Sequence, residues 1–208
     1  IMKRGLFVVI LSLFVCGTGF AQLAAWNFGP GVKGNEKTSF STLTDDCLEV
    51  SELSRGPGLV PQKATCSFAS TWPACNSMLG AVRLGAYYQF SLNAKRGCVV
   101  SFDRLLVVLR VQPDAPDTYI LTYSTDGEHF MDIGRPVHIT ATGNDGKLQA
   151  PIDLSGIPAL QDVPAKITVT FRLYAWGGRE GENTAFRIGK STPGRDALAV
   201  YGTARRKR

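Results

Sequence analysis

Between residues 167 and 176 the chain alternates with a period of two. In an extended strand, Val169, Phe171, Leu173 and Ala175 fall on one side. Thr168, Thr170, Arg172, Tyr174 and Trp176 fall on the other. The first set predicts a core face. The second carries a cation and two large aromatics, more than a plain solvent face needs.

The same pattern elsewhere predicts further strands at 24–28, 48–53, 87–92, 98–111, 118–124, 130–133, 137–141, 147–154, 184–188 and 197–203. Residues 105–109 are apolar on both faces, which marks 98–111 as a central strand. Asp126-Gly127 is a hairpin signal, because both residues tolerate positive φ. Residues 156–163 could form one short helical turn, limited by Pro158 and Pro164. Residues 64–78, interrupted by Pro73, predict an irregular loop covering one end of a sheet. Short strands, frequent turns and no long segment of period 3.6 indicate an all-β, antiparallel β-sandwich with a loop-rich first third. One domain is expected over 22–204. A boundary near Gly80 is rejected, since the early half would hardly make a core alone.

The N-terminus reads as a secretory signal. Lys3 and Arg4 precede a short apolar run, and Gly19-Phe20-Ala21 offers small residues where a signal peptidase reads them. Cleavage is expected after Ala21, giving a secreted or cell-surface protein. Val15 before Cys16 argues against lipid attachment. No later segment has enough consecutive apolar residues to span a membrane. The formal charge of +6 owes four units to Arg205-Arg206-Lys207-Arg208, a basic tail over 205–208. The body is near neutral, so no nucleic-acid partner is expected.

Cys47, Cys66, Cys75 and Cys98 remain after cleavage, an even number that suggests two disulfides in an exported chain. Cys66 and Cys75 are close enough in sequence to close a short loop, leaving Cys47 with Cys98; two other connectivities stay open. The spacings do not match a zinc knuckle.

Several segments, in order, resemble a family of exported bacterial β-sandwich proteins. They are Trp26-Asn27-Phe28, Ser54-Arg55-Gly56-Pro57-Gly58, Phe102-Asp103-Arg104-Leu105, Tyr119 to Gly127 with Phe130 to Gly134, Ile157 to Gln161, Val169 to Gly177, and Thr184 to Gly189. The resemblance implies export and a jelly-roll-like sandwich, of the lectin-like kind found in surface and extracellular proteins. It implies no settled activity. The four mature cysteines depart from it. So does the lack of a C-terminal apolar anchor or sorting domain, so attachment by either route is not expected.

Three functions are weighed. The first is a non-catalytic role in extracellular structure or assembly, through an extracellular protein partner or self-association along edge strands. The second is carbohydrate binding by a sheet face carrying Arg172, Tyr174 and Trp176, extended by Arg110 and Tyr119: aromatic rings stack on sugars and an arginine fork bonds hydroxyls or a carboxylate. Against it, the aromatics could pack under a loop and Arg172 could pair with Asp103 or Asp153. The third is a secreted glycan-active enzyme. His129, His138, Asp103 and Glu128 show no spacing that singles them out, so no catalytic residue is assigned. No cofactor is expected, and a structural calcium at Asp126 or Asp132 has only weak support, because the acids do not form a calcium loop.

Overall fold

The computed structural model describes residues 21–207; residues 1–20 of the expected signal segment, Cys16 among them, lie outside, and its last residue, Ala21, begins β1. The strands are β1 (Ala21–Trp26), β2 (Ser39–Phe40), β3 (Leu43–Thr44), β4 (Glu52–Arg55), β5 (Val60–Pro61), β6 (Ser67–Thr71), β7 (Tyr87–Asn93) and β8 (Cys98–Val111). They continue with β9 (Thr118–Ser124), β10 (Met131–His138), β11 (Lys147–Leu148), β12 (Ile152–Asp153), β13 (Val163–Pro164), β14 (Thr168–Trp176), β15 (Ala185–Gly189) and β16 (Leu198–Arg206). A helix, α1 (Met78–Leu84), precedes β7, and a 3-10 turn covers Pro158–Leu160.

The strands form two antiparallel sheets. One runs β10-β9-β14-β7-β4-β2. The other runs β3-β1-β16-β8-β15-β6-β5, with β11, β12 and β13 also on β8. β8 is the spine of the larger sheet: β12 and β16 both pair with Leu105, and β11 and β15 both pair with Leu109, so each couple lies on opposite sides of it.

The inner faces meet in one hydrophobic cluster. Val169, Phe171, Leu173 and Ala175 of β14 are buried in it, as their alternation predicts. Leu105, Val107, Leu109 and Val111 face them from β8. Aromatic contacts join the layers: Trp26 lies 5.1 Å from Phe90, and Phe102 lies 5.8 Å from Phe171. Edge-to-face and offset pairs of this kind add to the burial energy.

Four local expectations are corrected. Residues 130–133 and 137–141 are not separate strands: β10 joins 131–133 to 137–138 with a register shift between Ile133 and Val137, at Gly134 and Pro136, and 139–141 are not strand. The stretch after Pro73 is not all loop. Ser77 caps α1 by accepting from the Gly80 amide, and Gly85 ends it at φ 66°. Of the two suggested disulfides, Cys47–Cys98 is formed and Cys66–Cys75 is not. The five-residue strand β6 starts right after Cys66, so the chain runs out extended before it reaches Cys75, which bridges to Gly178. The basic tail is also shorter than expected: Arg205 and Arg206 belong to β16, opposite Val99 and Cys98, and Arg205 bonds Asp162 at 2.9 Å.

Candidate functional site

The outer face of the smaller sheet carries the Arg-Tyr-Trp stripe of β14. Register places Arg172 between Gln89 of β7 and Thr122 of β9, and Tyr174 between Tyr87 and Ile120. The Arg172 guanidinium stacks over two rings, 4.2 Å from the Tyr87 centroid and 3.9 Å from that of Phe130. Its Nε donates to Gln89 Oε1 at 2.7 Å, and Nη1 donates to the Tyr174 hydroxyl at 3.2 Å. Tyr174 is buried and Trp176 half-buried. Two protein rings already pack on the cation, and buried Tyr174 offers no open ring to a sugar. Neither Asp103 nor Asp153 pairs with Arg172: Asp103 takes Arg104 at 2.6 Å, and Asp153 accepts from Ser155.

The other two residues of the expected patch lie elsewhere. Tyr119 pairs with Ala175 and so points into the core, where it is buried and donates to Gln149 Oε1 at 3.3 Å. Burial pushes its hydroxyl up to about 12. Arg110 lies on β8, in the larger sheet, and points away from the core. The five candidates therefore divide among two outer faces and the interior.

A groove of about 720 Å³ lies on the outer face of the larger sheet. Its floor is Leu106 and Val108 of β8, Ala199 and Tyr201 of β16, and Leu148 of β11. Asp145 stands on one wall; Lys190, Thr192, Arg195 and Asp196 stand on the segment joining β15 to β16. The walls touch where the Ser191 amide donates to the Asn144 carbonyl at 2.9 Å and Ser191 Oγ donates to Asp145 at 3.2 Å. At the floor's end, Arg104 lies 4.8 Å over the Tyr201 ring. Gln22 Nε2 donates to Asp196 Oδ2 at 2.7 Å. An apolar floor with few oriented polar groups is the usual make-up of a small-ligand site. The sequence carried one signal of it. Residues 105–109 are apolar on both sides, and the outward pair, Leu106 and Val108, floors the groove.

The remaining candidates are local. Asp126 accepts from Ser124, from the amides of Glu128 and His129, and from the His129 ring, and these bonds hold its carboxyl well below the usual carboxylate range. Those contacts make it a turn former. His138 lies 3.9 Å from Asp117. Glu128 is exposed in the turn beside His129, on the sheet opposite Asp103. Among the described residues no three His, Cys, Asp or Glu side chains are grouped to hold a metal, and no helix is long and apolar enough to cross a membrane. No family model and no curated protein matches the chain.

Proposed function

We propose that this chain is a non-catalytic, exported β-sandwich module that acts by protein contact in extracellular structure or assembly. The observation that carries the reading is an apolar edge. β2 ends one sheet, β3 ends the other, and only Ser41 and Thr42 lie between them, so both ends share one edge of the sandwich. Along it Phe40 is 64% exposed, Val50 63% and Leu43 42%. Phe40 lies opposite Glu52 on the outer face of the smaller sheet and Leu43 opposite Ala25 on that of the larger one, so exposed apolar side chains flank this edge from both sides, as contact surfaces do. β5 and β10 also expose apolar side chains, Val60 on the first and Met131 and Val137 on the second, but β5 is interrupted by Pro61 and β10 by Pro136 and its register shift, whereas β2 and β3 contain no proline. Export is supported by the signal-like leader in the sequence, and the Cys47–Cys98 bridge suits an oxidising compartment.

Static light scattering of the exported chain at micromolar concentration tests this. A mass of at least two chains is expected, and the paired substitutions Phe40→Glu and Val50→Glu return it to one. A strict monomer contradicts self-assembly.

The groove favours a second reading, carbohydrate binding, moved from the Arg172 face to the floor around Tyr201. Calorimetry against neutral oligosaccharides then shows binding that Tyr201→Ala weakens about tenfold, the scale of one aromatic contact, while Arg172→Ala leaves it unchanged. Equal binding by Tyr201→Ala rules out this floor.

A further inference from the structure

Two arginines lie opposite each other in the register of the larger sheet, and among the described residues neither is paired with a carboxylate. Arg187 of β15 is paired with Arg110 of β8. Both point outward, because their neighbours Phe186, Ile188, Leu109 and Val111 fill the core side. Arg187 is only 6% exposed. Its Nη2 donates to Gln62 Oε1 at 2.9 Å, and its buried Nε has no partner. Arg110, half-buried, donates from Nη2 to Asn144 Oδ1 at 2.9 Å. Each cation thus takes one neutral amide oxygen, and among the described residues neither forms an ion pair.

Burying a charge without a counter-charge is costly. The fold solves that problem for its other enclosed arginine. Arg55 donates to Ser70 Oγ at 2.8 Å and to the carbonyls of Gly34, Glu36 and Ala69, and its guanidinium stacks 3.6 Å from the Phe68 centroid. Arg187 has none of this. Burial and the adjacent Arg110 charge both lower its pKa, as expected for a cation short of negative charge.

We propose that Arg187 and Arg110 form a binding site for an oxyanion, the carboxylate or sulfate group of a ligand, entered from the half-buried Arg110 side. Arginine forks present paired donors that match two oxygens of such a group. The site shares the outer face with the groove but lies on the far side of the Asn144–Ser191 contact, since Arg110 is two residues beyond Val108 on β8. It stands independently of the proposed role in assembly.

The test is thermal unfolding of the exported chain at low ionic strength, titrated with sodium sulfate and separately with sodium acetate. Sodium chloride at matched ionic strength is the reference. Sulfate stabilises folded proteins in general by exclusion from their surface, so the comparison with Arg110→Gln carries the result. A saturable rise in Tm beyond chloride is expected for at least one oxyanion, about 3–8 °C well above its Kd, and Arg110→Gln abolishes it. Sulfate acting alone identifies a tetrahedral ligand group, and acetate acting alone a planar one. Without oxyanion, Arg187→Met is at least as stable as wild type, because it removes an uncompensated charge. If Arg187→Met fails to fold, the half-buried Arg110→Gln decides. Oxyanion effects equal to chloride, or equal in wild type and Arg110→Gln, overturn the site.

Discussion

The Arg172 guanidinium sits between Tyr87 and Phe130 with Gln89 and Tyr174 as hydrogen-bond partners. Each cation–ring contact stabilises by about 0.5–1 kcal/mol when partly exposed, so the cluster is accounted for as packing. Alternation placed Arg172, Tyr174 and Trp176 on one face, and the structure agrees. It could not place Arg110 or Tyr119 relative to them. The 118–124 stretch has bulky residues on both sides, so nothing local says which side faces the core, and Ile120 is buried as well as Tyr119. Phe130, far away in sequence, could not be foreseen as the second ring on Arg172. Two buried tyrosines yield a prediction at this scale. Burial raises both Tyr88 and Tyr119 from an ordinary value of about 10 to about 12. Their protons are held more tightly in the folded chain than in the unfolded one. Stability is therefore intact below about pH 10 and is lost as pH rises from there towards about 12. Urea midpoints measured across that range should decline, and Tyr119→Phe should flatten the decline. A midpoint that stays constant to pH 12 contradicts the burial of both hydroxyls.

Elements were legible where one periodicity ran unbroken. The 98–111 and 118–124 strands have the bounds their patterns predict. β10 reads in sequence as two segments because Gly134 and Pro136 are punctuation there, whereas at a sheet edge they make only a register shift. α1 carries both cap signals in Ser77 and Gly85, but it spans only seven residues and follows Pro73, so its sequence reads as an interrupted loop. The disulfide belongs to this scale because it ties the segment after β3 to the start of β8 across 51 positions. Closing a loop of that length constrains the unfolded chain by roughly 4 kcal/mol. The double change Cys47→Ser with Cys98→Ser should lower the urea unfolding free energy by about that amount. The matching pair Cys66→Ser with Cys75→Ser should leave unchanged any contribution from cross-linking, visible as equal sensitivity to reductant before and after. Loss of the reductant effect in the second pair would contradict the bridge assignment.

At the scale of the molecule, the sandwich has two outer faces and, at β2 and β3, an apolar edge uninterrupted by proline. The smaller sheet's face is filled around Arg172 by its own rings, while the larger sheet's face holds an open groove and an arginine pair beyond it. Frequent short strands made the sandwich itself readable. Which strands become edges was not, because that depends on pairings such as β3 with β1 and β2 with β4, set by long-range register rather than local pattern. The apolar edge at Phe40, Leu43 and Val50 emerges only from those pairings, and the proposed role in assembly stands on it. Amide hydrogen exchange on the protein, compared between dilute and concentrated samples, tests that role most directly. The account predicts slower exchange at high concentration confined to peptides covering 39–51, with those covering 131–138 unchanged. Identical exchange at both concentrations, or slowing at β10 in place of this edge, would contradict it.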